Sequence, residues 1–171
     1  MRAFRHLLIA FAAGVIVASG AAAQAAVPTG QTVDGIHCDA MEGAVLDSHQ
    51  HLAILDHGIP VPVPPDVGRP LMAQCLYWIH THTPDGIIHI ESPNFKTFTL
   101  GNFFDVWGEP LSRTEVAGAK PKRGEKVVVW VDGRAYAGDQ RTIELTNHLD
   151  ITIEIGPPQQ KPAPFTAWNG N

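Results

Sequence analysis

The stretch YWIHTHTPDGIIHIES, residues 77–92, folds back on itself, and its register decides which side chains share a surface. Thr83-Pro84-Asp85-Gly86 carries a turn signature: proline fixes its own φ, aspartate bonds its own backbone, and glycine tolerates the left-handed region. With Pro84 and Asp85 at the centre of the turn, Thr83 faces Gly86, His82 faces Ile87 and His80 faces His89. Successive strand side chains alternate sides. One surface of the hairpin then carries Trp78, His80, His82, Ile87, His89 and Glu91. The other carries Tyr77, Ile79, Thr81, Ile88 and Ile90. A slip of one residue would throw His89 among the apolar set, so apolar segregation favours the register that gathers His80, His82, His89 and Glu91.

The same period-two pattern extends to both sides of this hairpin. Residues 48–55 place Leu52 and Ile54 on one face and His49, His51 and Ala53 on the other. Asp56-His57-Gly58 turns the chain into Ile59–Val63, which prolines 60, 62 and 64 confine to a sheet edge. The segment 75–82 is the first strand of the histidine hairpin and 87–92 the second. Val127–Val131 and Arg134–Ala137 flank an Asp132-Gly133 turn, and Asp150–Ile155 forms a further strand. Helical spacing occurs once, over Thr99–Gly108, where Leu100, Phe103, Phe104 and Trp107 make an apolar stripe between a threonine cap and a terminal glycine. Residues 112–126 read as a basic, solvated connection. The expected fold is mainly β (α+β), a small antiparallel β-barrel or sandwich built from hairpins, with one short helix packed on it.

The N-terminus has the layout of an export signal. Met1, Arg2 and Arg5 make a basic start, Leu7–Val17 an apolar run, and Ala23-Gln24-Ala25 a small-x-small cleavage site. Residues 1–25 are therefore assigned to a signal peptide, 26–156 to a single β-rich domain, and 157–171, which have no period, to a disordered tail. The apolar run is too short to span a bilayer, so no membrane span is expected once the leader is gone. A periplasmic or secreted location follows.

Charge narrows the partners. The chain has 12 Lys+Arg and 17 Asp+Glu, net −5, and loss of the leader's two arginines takes this to −7. That balance argues against nucleic acid or an anionic membrane surface and suits cations. The two cysteines, Cys38 and Cys75, form an even pair in an exported domain, which reads as one disulfide; thiolate ligands beside His37 are the competing reading.

Five histidines fall in the clusters His49-Gln50-His51, His80-Thr81-His82 and His89-Ile90-Glu91. Imidazoles two apart on a strand reach one ion from the same face, whereas two alone leave a weak site, so a second strand must complete it. With the 48–55 strand beside 75–82, His49, His51, His80, His82 and His89 converge on a divalent transition metal, with Glu91 and His148 as possible additional ligands. His57 reads as a solvated turn residue and His37 as part of an arm. Imidazole with carboxylate suits Cu(II) or Zn(II) first, and Fe or Mn as well; Cu(I) is disfavoured because Met41 and Met72 stand far apart in sequence. Three functions use this constellation. One is metal binding for copper or zinc handling. Another is a metalloenzyme, hydrolytic or redox, with Glu91 as candidate general base. The last is a non-catalytic extracellular interaction module whose imidazoles respond to pH. The alternative to a metal site is that each histidine is a surface or core residue satisfied by hydrogen bonds. No nucleophile elbow, phosphate loop or H-E-x-x-H helix is present in the sequence.

Taken together, HQHLAIL at 49–55, the 77–92 hairpin, TFTLGNFFDVWG at 97–108 and VVVWVDG at 127–133 resemble an uncharacterised family of exported bacterial His-rich β-domain proteins. The resemblance covers most of the chain after the leader and implies domain limits, with no established activity attached. Cupins also place H-x-H on a strand of a small barrel, but the similarity is weak: Asp85 stands at the wrong spacing for the cupin glutamate and the cupin glycines are missing. No cupin activity is carried over.

Overall fold

The computed structural model describes residues 30–168; the leader expected over 1–25 lies outside the described residues. The elements in chain order are β1 (Cys38–Asp39), β2 (Leu46–Asp56), β3 (Ile59–Val61), β4 (Leu76–Tyr77), β5 (Ile79–His80), β6 (Ile87–Ser92), α1 (Leu100–Trp107), β7 (Val127–Val131), β8 (Arg134–Tyr136), a 3-10 turn (Gln140–Thr142) and β9 (Asp150–Ile155). The described residues are mainly β, with one short α-helix and two sheets.

The long sheet runs β5, β6, β2, β9, β7, β8, with β3 returning on the far half of β2. Every pairing in it is antiparallel except β2 with β9, where His51–Asp56 run parallel to Asp150–Ile155. This order is open, so the described strands do not close into the small barrel that the hairpins suggested. The expected neighbour of the His49 strand is also corrected. β2 pairs with β6, His49 opposite His89, and not with the 75–82 segment. Length explains the choice: β2 is eleven residues long, and its first half takes β6 while its second half takes β3.

One face of this sheet is the core. Leu52 and Ile54 of β2, Ile79 of β5, Ile88 and Ile90 of β6 and Ile151 and Ile153 of β9 are buried in a single cluster with Phe103 and Phe104 of α1. The helix forms where expected because both ends are closed. Asn102 N donates to Thr99 Oγ1, Thr99 N donates to Asn102 Oδ1, and Gly108, at φ 79°, donates to Phe104 O. The opposite face carries the histidines.

The 75–82 segment departs from an unbroken strand. It splits at Trp78, whose side chain leaves the histidine surface: the ring stacks on His37 and Nε1 donates to Asp39 Oδ2 at 2.7 Å. β1 and β4 make the two-stranded sheet beside this break, and the Cys38–Cys75 disulfide ties them together as expected. A bridge closing 37 residues stabilises by about 4 kcal/mol in the chain-entropy account. The outer edge of β5 is covered by the 64–68 loop: Asp66 N donates to Thr81 O, Thr81 N donates to Val67 O, and the Thr81 hydroxyl donates to Pro64 O.

Residues 157–168 have no helix or strand, in keeping with their prolines, and they make contacts with the sheet. Gln160 N donates to Glu154 Oε1, Phe165 N donates to Asp150 Oδ2, and the Phe165 ring stacks on His51 with centroids 3.7 Å apart. The sheet's second face therefore holds this segment through β9 carboxylates and a histidine.

Candidate metal centre

The hairpin register gathers four of the six residues expected at the centre of the site. His80 lies across from His89, and His89 is flanked on its other side by His49, so three imidazoles form a row over β5, β6 and β2. The His49 and His89 rings meet edge to face at 4.5 Å, as do His82 and His89. Glu91, two residues along β6, is the carboxylate of the row. Two sets of ligand atoms lie within 4.8 Å of one another: Glu42, His80, His82 and Glu91 in one, and His49, His89 and Glu91 in the other.

His80 has the arrangement of an oriented ligand. It is fully buried, and its Nδ1 donates to the Tyr77 carbonyl at 2.8 Å, which leaves Nε2 facing the cluster. His80 Nε2 is 3.1 Å from His82 Nε2 and 3.3 Å from Glu91 Oε2. The proton between the two histidines can be placed by chemistry. Arg69 Nη1 lies 3.3 Å from His82 Nδ1, and a guanidinium only donates, so His82 carries its proton on Nε2 and directs it at His80. A cation between the two nitrogens would take the position of that proton, with proton release on binding.

Desolvation sets the charge of the cluster. Burial pushes the His80 imidazole down to about 4, and burial followed by repulsion from His49, His82 and His80 pushes His89 down to about 4. His49 is lowered by the same cause. Burial, with Glu42 and Asp47 nearby, raises Glu91 to about 7. The lowered imidazole and the raised carboxyl both work against an ion pair at the His80–Glu91 contact. Of the five buried side-chain atoms without a hydrogen-bond partner among the described residues, two, His89 Nδ1 and Glu91 Oε2, belong to this cluster; the others are on Gln50 and Gln140. Buried polar atoms are rarely left so, since the lost hydration costs about 1–3 kcal/mol each.

The expected ligands do not all arrive. His51 shares the face of His49, but its Nδ1 is 2.9 Å from Asp150 Oδ1 and its ring is covered by Phe165, so it belongs to neither ligand set. His148 is held beside the row instead of in it. Its N donates to His49 O, its ring stacks on Trp168, and Asn147 Oδ1 accepts from His49 N. His57 is no idle turn residue, for Asp56 Oδ1 and Glu125 Oε2 contact its two ring nitrogens at 2.6 and 2.8 Å.

Glu42 and Arg69 went unread in the sequence. Glu42 reaches the centre because the chain around Gly43 lies directly on the end of β6: Gly43 N donates to Glu91 O and Val45 N to Ser92 O. A β-carbon at position 43 would sit 2.2 Å from Pro93 N, so only glycine permits the approach. Glycine following glutamate was the one available signal, and it is weak. Compared with known proteins, the chain matches no family model, no curated protein and no solved structure.

Proposed function

We propose that this protein is an exported, non-nucleic-acid-binding protein that holds a divalent transition metal, Cu(II) or Zn(II), through His80, His82, Glu42 and Glu91. The observation that carries the reading is the convergence of these four side chains within 4.8 Å from three separate stretches of chain. Support comes from the anchoring of His80 by a backbone carbonyl, which is the usual second partner of a metal-bound imidazole. The donor set of nitrogen and oxygen suits Zn(II) and Cu(II), and the absence of thiolate fits cysteines that are bonded to each other. The leader-like N-terminus and the disulfide support an oxidising compartment. A surrounding barrel or sandwich forms no part of the proposal; the open sheet and its covering loops suffice.

The test is a calorimetric titration of untagged, chelator-stripped protein with Zn(II) and with Cu(II). His82 is partly exposed, so His82→Ala removes a ligand with little risk to the fold; His80→Gln is the stricter variant, since His80 is fully buried. Stoichiometric binding by the wild type and at least tenfold weaker binding by His82→Ala, with an unchanged melting temperature in chelator, are expected. Equal affinities for the wild type and both variants would remove the site.

A further inference from the structure

The metal-binding reading is the footing for a second inference. We propose that the centre takes two divalent ions, with Glu91 as the carboxylate shared between them and His49 and His89 as the imidazoles of the second. The ligand-type side chains fall into two sets that have only Glu91 in common, and the second set brings its atoms within 4.8 Å of one another just as the first does. The six side chains of the two sets exceed what one tetrahedral ion accepts, whereas four and three are the counts of a filled and an open site.

The second set has its own mark of a missing partner. His89 is 9 % exposed, and its Nδ1 is buried with no hydrogen bond; Glu91 Oε2 is buried with none either. His49 and His89 face each other directly across β2 and β6, so the pair is fixed by the backbone ladder and needs no loop to assemble. Asp47 Oδ1, 3.7 Å from His49 Nε2, adds a carboxylate at the rim. Glu42, Glu91 and Asp47 together offset much of the charge of two dications. A second ion with three protein ligands keeps a position for water or an anionic ligand, and paired ions of this kind sit about 3.5–4 Å apart.

Native mass spectrometry of the stripped protein, reloaded with Zn(II), counts the ions. Two per chain are expected in the wild type, and one each in His49→Ala and His82→Ala. Loading with Cu(II) reads the bridge, because two Cu(II) ions this close couple magnetically: the integrated electron-spin-resonance signal falls below two spins and a half-field line appears. Glu91→Gln should abolish the half-field line. A single ion in the wild type overturns the paired centre and leaves the single-ion reading standing. No ion at all overturns both, and two ions without magnetic coupling overturn the bridging role of Glu91.

Discussion

His57 shows how a histidine outside the cluster is put to structural use. Asp56 and Glu125 contact its two nitrogens, and the hydrogen bonds that its ring N–H groups donate to these carboxylates hold its pKa above the ordinary 6.5. A raised folded pKa means that the native state binds the proton more tightly than the unfolded chain. The stabilisation is fully present below 6.5 and is lost as pH rises through the raised value. Substituting His57→Asn, which tolerates the φ of 52° at this position, should lower stability in urea at pH 6 and change it progressively less as the pH climbs above neutrality. A wild-type-to-variant gap that stays constant with pH would refute the ion-pair account. The individual residues were legible where the partner is near in sequence. His80 and His89 could be paired from the turn between them, but His51 is captured by Asp150, a partner 99 positions away that no local pattern announces.

The hairpins and the helix were legible for the same reason: turn chemistry and periodicity are local. The break at Trp78 was not, because it is imposed by Asp39 and His37, which draw the indole away. Nor was the strand-like contact of residues 43–45 with β6, although it places Glu42 beside Glu91. Gly43→Ala tests that contact. A β-carbon 2.2 Å from both Pro93 N and Ser92 C cannot be absorbed by a rotamer change, so the 42–45 segment must lift from β6 and carry Glu42 away from Glu91. We expect a loss of roughly 1–3 kcal/mol in denaturant unfolding, typical of a backbone clash, together with weaker Zn(II) binding. Lost stability with undiminished affinity would show that Glu42 is no ligand.

Strand order was the least legible feature. β2 and β9 share no turn, and a parallel neighbour nearly a hundred residues downstream leaves no mark in either sequence. The consequence appears in the connectivity of the finished sheet. β5, β6, β2 and β3 form one ladder and β7 with β8 another, and β9 alone joins them. A chain ending at Gly156 retains all nine strands and should fold, at reduced stability for want of the Phe165 and Gln160 contacts. A chain ending at Leu149 should give no cooperative unfolding transition by circular dichroism; a normal transition would mean that the two ladders stand alone.

Synthesis proceeds from the other end, and this gives β9 a meaning in time. The strand at the middle of the sheet leaves the ribosome after both strands it pairs with, so every nascent chain short of it exposes the open edges of β2 and β7. Closing so distant a contact is slow, because the loop entropy must be met before the pairing returns anything. The two ladders thus stay unjoined, and their edges accessible to whatever handles unfolded polypeptide, until β9 has been made.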